Sequence, residues 1–446
     1  MEAVDLDKIV QEYGKDIVLK DRQRQAFEYL LNTKEGDLLL SLPVGYGKSL
    51  IYHLLPKVLG KDKEAPVCLT ISPLNIIQKD QIEALKVRGI SACRLNIVSK
   101  VEDTTEEDFI SEWEVDVDRV KKGDFSIVLC HPEALFNTKK GHEILSDEQF
   151  ASKVVAVVID ECHIIEKWGE EFRTAFKKLR GVKSFFPCVP VIGLSGTLTV
   201  SQKKTIPKQL GLENFHLIEH TPDRPNIFLM KRRKDQGPDV LNEYEQIVHK
   251  LCNDLYKKKA DFPVTLLFLP IYYMSEALVY LKSLFGSLNI NESLYSAICS
   301  GQDEYVINRT IAELKKENPT IRLVLTTSIA GMGFDPKNVT HIIHACPPRN
   351  LSQYLQEIGR AGRCGQPSYA TLYYSNRDIG KNLPGIKEDI INYCKTDSLC
   401  LRNQLLSVFG FEKEESIIDC KCCSFCAENC ICESCVDVTS IQNIHV

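Results

Sequence analysis

With 446 residues the chain has room for two to four domains, and 44% hydrophobic with 26% charged residues is the balance of an ordinary globular protein. No apolar run is long enough to span a bilayer, and the acidic start Met1-Glu2-Ala3-Val4-Asp5 is unlike a secretory leader, so neither a membrane partner nor export is expected. The net charge of −5 argues against a protein that is basic all over, as many nucleic-acid binders are, and leaves room for a local basic channel.

Residues 1–220 read as a first domain. Leu38 to Leu40, Val67 to Ile71, Ser126 to Leu129, Val154 to Ile159 and Val191 to Leu194 are apolar on both faces, as in buried parallel strands with helices on either side. Ligands of such sheets bind at the carboxyl ends of the strands. After the first run comes Leu42-Pro43-Val44-Gly45-Tyr46-Gly47-Lys48-Ser49, then an apolar helix from Leu50 to Val58. The glycines free backbone N–H groups to cradle phosphate, and the helix start adds partial positive charge. Lys48 is placed to reach the β- and γ-phosphates of ATP and Ser49 to hold Mg²⁺, although Leu42 stands where the usual pattern has glycine. The acidic stretch Val101 to Asp118 reads as a solvated surface insertion. Asp160-Glu161-Cys162-His163 follows the run 154–159, and adjacent carboxylates at the end of a buried strand are costly unless they have a task. Asp160 suits a Mg²⁺ ligand and Glu161 the group that deprotonates the attacking water. Ser195-Gly196-Thr197, after the last run, reads as a tight turn able to relay the state of the phosphates.

Residues 219–240 carry two turn-rich segments, Thr221 to Asn226 and Asp235 to Pro238, and read as a connection between domains. The basic run Lys231 to Lys234 reads as a strand end rather than an import signal. A second domain, 221–380, has expected strands at Val264 to Leu269, Arg322 to Thr326, His341 to His344 and Ala370 to Tyr374. Gly331-Met332-Gly333-Phe334-Asp335 follows the second of these. Gln356 to Arg363 brings two arginines, Arg360 and Arg363, onto one expected helical face, where their planar, always charged forks suit a γ-phosphate.

Residues 381–446 read as a helical hairpin and a cysteine-rich end. Of 18 cysteines, half are scattered, with Cys68, Cys130 and Cys188 expected as buried thiols, and half crowd from Cys394 onward. In a reducing compartment such crowding points to metal before disulfide. Cys420, Cys423 and Cys426 have the spacing of zinc or iron–sulfur ligands, and Cys422, Cys430, Cys432 and Cys435 leave several sets of four open. The fold class expected is α/β: two tandem parallel-sheet domains followed by a small helical metal-binding subdomain.

In this order the segments resemble the RecQ family of superfamily 2 DNA helicases, over roughly residues 17 to 426. Leu19-Lys20-Asp21-Arg22-Gln23 is similar to the family's adenine-recognising motif, and Ile71-Ser72-Pro73-Leu74 with Lys79-Asp80-Gln81 to its DNA-backbone motif. His131 to Leu135 is similar to its Ala-Pro-Glu-Arg-Leu segment. Cys162 to Arg173, with Trp168, Phe172 and Arg173, resembles the aromatic-rich loop that couples single-strand binding to hydrolysis. Arg224-Pro225-Asn226 and Pro347 to Asn350 match further signatures. Lys20 in place of arginine, Cys162 and His131 in place of alanine, and Ser195-Gly196-Thr197 in place of a Thr-Ala-Thr type segment depart from the pattern; none removes a group needed for hydrolysis.

The resemblance implies two RecA-like domains and an ATP-dependent helicase moving 3′ to 5′ on single-stranded DNA, acting on tailed or forked duplex in repair or recombination, in the nucleus. It implies nucleotide contacts from Lys20, Gln23, Gly45, Tyr46, Gly47, Lys48, Ser49, Gly333, Asp335 and Gln356. Catalysis falls to Lys48, Asp160, Glu161, Arg360 and Arg363, and DNA contacts to Ser72, Pro73, Trp168, Phe172, Arg173 and Thr326. Zn²⁺ is implied at Cys400, Cys420, Cys423 and Cys426. A short form without the family's winged-helix and further helical domains is expected. A helicase-like scaffold without activity and an RNA helicase are the alternatives.

Overall fold

The strands whose two faces are both covered are the ones that read as unbroken apolar runs. In the computed structural model, which describes residues 4–33, 36–72, 75–95, 97–99, 111–113, 115–165, 174–212, 214–235, 237, 239–286, 293–327 and 336–430, the chain divides into a unit of residues 1–221 and a unit of residues 222–446.

The first unit holds β1 (Asp37–Ser41), β2 (Val67–Ile71), β3 (Ala92–Leu95), β4 (Ile97–Ser99), β5 (Ser111–Trp113), β6 (Ile127–Cys130), β7 (Val154–Ile159), β8 (Val191–Ser195) and β9 (Phe215–Glu219). Seven form one parallel sheet in the order β3-β6-β2-β7-β8-β1-β9, and β4 pairs antiparallel with β5 as a separate ribbon. Alternate residues of one strand feed two cores. Leu39 packs with Val157 and Val191 on one face of the sheet, while Leu38 and Leu40 pack with Ile192 and Leu194 on the other. With β7, β8 and β1 side by side, the segments that follow them emerge together at one carboxyl edge.

The second unit holds β10 (Ile227–Arg233), β11 (Thr265–Phe268), β12 (Tyr295–Ile298), β13 (Leu323–Thr326), β14 (His341–His344) and β15 (Ser368–Tyr374). All pair in parallel in the order β10-β15-β14-β11-β13-β12. The stretch 219–240, expected as a connection, contains the seven-residue edge strand β10. Helices Glu388–Lys395 and Leu401–Ser407 follow. Ile390, Leu405, Phe409, Cys422 and Cys423 share a core with Leu229 and Ala370, so the cysteine-rich end packs on this sheet. A parallel bridge between Leu229 and Cys423 covers part of the outer edge of β10.

Among the scattered cysteines, Cys68 and Cys130 are buried as expected, and burial pushes the Cys68 thiol up to about 12. Cys188 is exposed instead, because its short apolar neighbourhood is the turn before β8. Among the described residues no helix is long and apolar enough to cross a membrane. Most of the acidic stretch 101–118 lies outside the described residues.

Candidate active site

The phosphate loop connects β1 to the helix Lys48–Leu59, with Gly45 at φ 82° and Gly47 at φ 89°, a left-handed backbone that favours glycine. Leu42, where glycine is usual, is fully buried, and its N–H donates to Ser195 O at 3.0 Å. The Lys48 ammonium donates to Leu42 O at 3.4 Å. Gln23 is 2% exposed and ties the loop down: its amide nitrogen donates to Tyr46 O (3.0 Å) and Gly47 O (2.9 Å), and its oxygen accepts from Lys20 N (2.9 Å). In this state the amide expected to read a base is engaged with the loop itself. Lys20 donates to Gly45 O at 3.1 Å and lies 4.8 Å from the centre of the Tyr46 ring. Ser49 sits in the first turn of the helix.

The two acids follow β7 directly. Asp160 N donates to Ile71 O at 2.9 Å and its carboxylate accepts from Glu161 N at 2.9 Å. Burial pushes the Asp160 carboxyl up, and the neighbouring Glu161 carboxylate pushes the same way, against Lys48. Burial opposes ionisation of Glu161 too. There the Lys48 ammonium, His163 and the Gly196 N–H outweigh it and hold the carboxyl below the usual range. His163 Nδ1 stands 3.2 Å from Glu161 Oε2 and 3.1 Å from Ser195 Oγ, which donates to Thr197 O at 3.2 Å. Ser195-Gly196-Thr197 is thus wired to Glu161 through His163 and through the Gly196 N–H. Glu161 itself has φ 49°, a strained backbone for a side chain of this kind. The chemistry of the donor set fits a divalent cation, because two adjacent carboxylates, Asp160 buried and Glu161 half-buried, share one lysine and Ser49 adds a hydroxyl. The structure therefore brings Gln23, Lys20, Gly45, Tyr46, Gly47, Lys48, Ser49, Asp160 and Glu161 to one edge of one sheet. Sequence reasoning missed the Gly196 N–H and the part His163 plays beside Glu161.

Other expected positions fare differently. Ser72, directly after β2, and Thr326, the last residue of β13, are each 1% exposed, with the Thr326 hydroxyl donating to Thr327 O at 3.1 Å, so neither presents its side chain as a DNA contact. Pro73, Trp168, Phe172, Arg173, Gly333 and Asp335 lie outside the described residues.

In the second unit, Gln356 is on the helix Leu351–Ile358, but Arg360 and Arg363 are not on one helical face. The helix stops at Ile358, and Gly362 at φ 63° makes a turn no helix can continue through. The turn sits at the amino ends of β14 and β15, with Gly362 N donating to Val339 O at 2.9 Å. Arg360 is 3% exposed, and Arg363 Nε donates to Gly359 O at 3.4 Å. Just before the turn, Glu357 accepts from Gln353 at 3.0 Å and pairs with His344 at 2.7 Å, with His344 and Glu357 each 1% exposed.

The thiols of Cys400, Cys422, Cys423 and Cys426 lie within 4.8 Å of one another. Cys400 caps the helix Leu401–Ser407, and its sulfur is 3.6 Å from that of Cys422 and 3.9 Å from that of Cys423. Four sulfurs around a tetrahedral zinc at about 2.3 Å stand about 3.8 Å apart, so these four fit a closed zinc site. Cys422 takes the place expected for Cys420. Cys420 lies inside a tight turn, Asp419–Lys421, whereas Cys422 and Cys423 follow it where the backbone meets β10. Cys432 and Cys435 lie outside the described residues.

The DEAD/DEAH box helicase family model matches residues 20–206, and the helicase conserved C-terminal domain model matches residues 247–365. The ATP-dependent DNA helicase RecQ of Pasteurella multocida is 27% identical over 405 residues, 87% of this chain and 57% of that protein. The chain thus spans little more than half of that relative's length. A protein of Acanthamoeba polyphaga mimivirus that carries the name of an ATP-dependent RNA helicase is 29% identical over 97% of this chain and 73% of its own length. Among solved structures, the helicase MrfA bound to DNA and AMPPNP aligns with TM-score 0.61 at 16% identity, over 93% of this chain and 59% of that one. The DEAD-box helicase Mss116 bound to single-stranded RNA aligns with TM-score 0.61 at 14% identity, over 91% and 81%. With the two helicase models matched in order along the chain and RecQ helicases among the relatives, the chain belongs to the RecQ-like helicases of superfamily 2.

Proposed function

We propose that the chain is an ATP-dependent DNA helicase that couples ATP hydrolysis to 3′-to-5′ movement on single-stranded DNA and opens tailed or forked duplex. The observation that carries this reading is the convergence of Lys48, Asp160, Glu161 and the Gly196 N–H at one sheet edge, with Glu161 held ionised beside Lys48. Lys48 neutralises the phosphates of ATP, and Glu161 takes the proton of the attacking water. Ser49 and Asp160 hold Mg²⁺, which when bound neutralises charge developing on the phosphates. Arg360 and Arg363 supply the charge of an arginine finger, with Gln356, Gly333 and Asp335 as further nucleotide contacts. Trp168, Phe172 and Arg173 grip the single strand by stacking and phosphate contact. Cys400, Cys422, Cys423 and Cys426 hold a structural Zn²⁺. Action in DNA repair or recombination, in the nucleus, belongs to the same reading.

The mimivirus relative favours a second reading, in which RNA is the activating strand. Unwinding of 3′-tailed, 5′-tailed and blunt duplexes, with and without ATP, tests the proposal. Opening of the 3′-tailed DNA alone, and only with ATP, is the expected result. Opening of no DNA substrate, together with ATPase stimulation by RNA only, sinks it in favour of the second reading.

A further inference from the structure

Among the described residues Arg402 is the largest fully buried side chain, 2% exposed, in the first turn of the helix capped by Cys400. Its guanidinium joins three segments. It pairs with the Asp223 carboxylate, donates to Arg224 O at 3.1 Å and to Ile227 O, and donates to Cys422 O at 3.2 Å. One residue on, Arg224 turns its own fork the other way and donates to Ala361 O (3.3 Å) and Gly362 O (2.8 Å). Asn226 Nδ2 donates to Gly362 O (2.8 Å) and Gln366 O (2.9 Å). Residues 223–227 are therefore held by the cysteine cluster on one side and themselves hold the arginine turn on the other. That turn follows the end of its helix and has no regular structure of its own, and a Cβ on Gly362 would lie 2.2 Å from Asn226 Nδ2. Its position is fixed from outside.

We propose that Arg402 is a positioning residue that transmits the state of the cysteine cluster to Arg360 and Arg363, and so regulates hydrolysis. The inference rests on the reading of these two arginines as nucleotide-directed groups. A buried guanidinium with acceptors from several segments is stiff, because letting go of any one leaves a buried charge underpaired. Lysine keeps the charge at 402 but has only three donors, all on one atom, so it cannot hold Asp223, Arg224 O, Ile227 O and Cys422 O at once.

The test uses the full chain with zinc content measured. Hydrogen exchange is followed by mass spectrometry over residues 359–366, and steady-state ATPase is measured with a saturating single-stranded oligonucleotide. Arg402→Lys breaks the first link. Arg224→Lys breaks the second and leaves the buried Arg402–Asp223 pair intact, so it guards against a mere folding defect. Both variants are expected to exchange faster at 359–366 and to lose about tenfold in kcat, with KM for ATP within about twofold of wild type. Wild-type exchange and kcat in both variants overturns the proposal. So does exchange that rises equally throughout residues 222–430, which makes Arg402 a structural residue only. Arg360→Ala separates the two readings: wild-type kcat there sinks the nucleotide role of the turn, and the exchange at 359–366 then judges the mechanical link alone.

Discussion

Glu161 shows how a single residue is prepared for the role of base proposed for it. Burial alone would keep a carboxyl protonated, and a protonated Glu161 has no use as a base. Lys48, His163 and the Gly196 N–H reverse that, and the backbone accepts φ 49° to aim the side chain. The loop opposite is held by Gln23 across Tyr46 and Gly47. Gly47→Ala would place a Cβ 2.6 Å from Gln23 Nε2 at φ 89°, so the loop and Gln23 must part. Strain of about 1 to 3 kcal/mol then appears as ATP affinity weaker by about fivefold to about a hundredfold, read by titration with a fluorescent ATP analogue; unchanged affinity would mean the loop does not need this conformation. Lys48, Ser49, Asp160 and Glu161 were legible in the sequence because each motif is local and its residue types have few other uses after a buried strand. The Gly196 N–H and the engaged amide of Gln23 were not, because strand order and burial, rather than spacing, bring those partners together.

At the level of the element, what could be read depended on burial. Strands β1, β2, β6, β7 and β8 lie inside the sheet and announced themselves as apolar runs. Edge strands β3, β9 and β10 have one covered side and alternate in burial, so β3 and β9 gave no apolar run to read and β10 was read as part of a connection. The arginine segment misled in another way, since spacing of three suits a helix, yet the helix ends at Ile358 and Gly362 at φ 63° lies in the turn beyond it. The cysteine cluster was legible as a cluster but not in its membership, because spacing ignores the tight turn at Asp419–Lys421. Cys422→Ser is therefore expected to lose zinc and lower the thermal midpoint of the second unit, while Cys420→Ser keeps its zinc, as measured by elemental analysis of the purified chains. Equal loss in both, or loss only at Cys420, contradicts the assigned set.

Taken as a whole molecule, two RecA-like sheets each bury their cores separately, and both must stay folded for the motor reading to hold. One titrating group bears on this directly. His53 is 5% exposed between helices of the first unit, its Nδ1 is 2.7 Å from the Tyr13 hydroxyl, and burial lowers its pKa to about 4. An unfolded chain protonates this histidine near pH 6.5, so the unfolded state takes up the proton first and stability is lost as pH falls from about 6.5 toward 4. The contribution approaches about 3 kcal/mol at the bottom of that window. Urea unfolding at pH 7 and pH 4.5 should show the loss in wild type and less of it in His53→Gln; equal losses in both would assign the acid sensitivity elsewhere. Charge at this scale bears on substrate as well: phosphate contacts by a chain of net charge −5 must come from local basic surface, and DNA binding should weaken as salt rises. The central claim is that hydrolysis runs through Glu161 and answers to a single strand of DNA. Steady-state ATPase of wild type and Glu161→Gln, with and without a single-stranded oligonucleotide, tests it most directly. The account predicts DNA-stimulated turnover in wild type and a fall of about 10² to 10⁴ in the variant with ATP binding retained; turnover in Glu161→Gln equal to wild type, or no response to DNA in either, contradicts it.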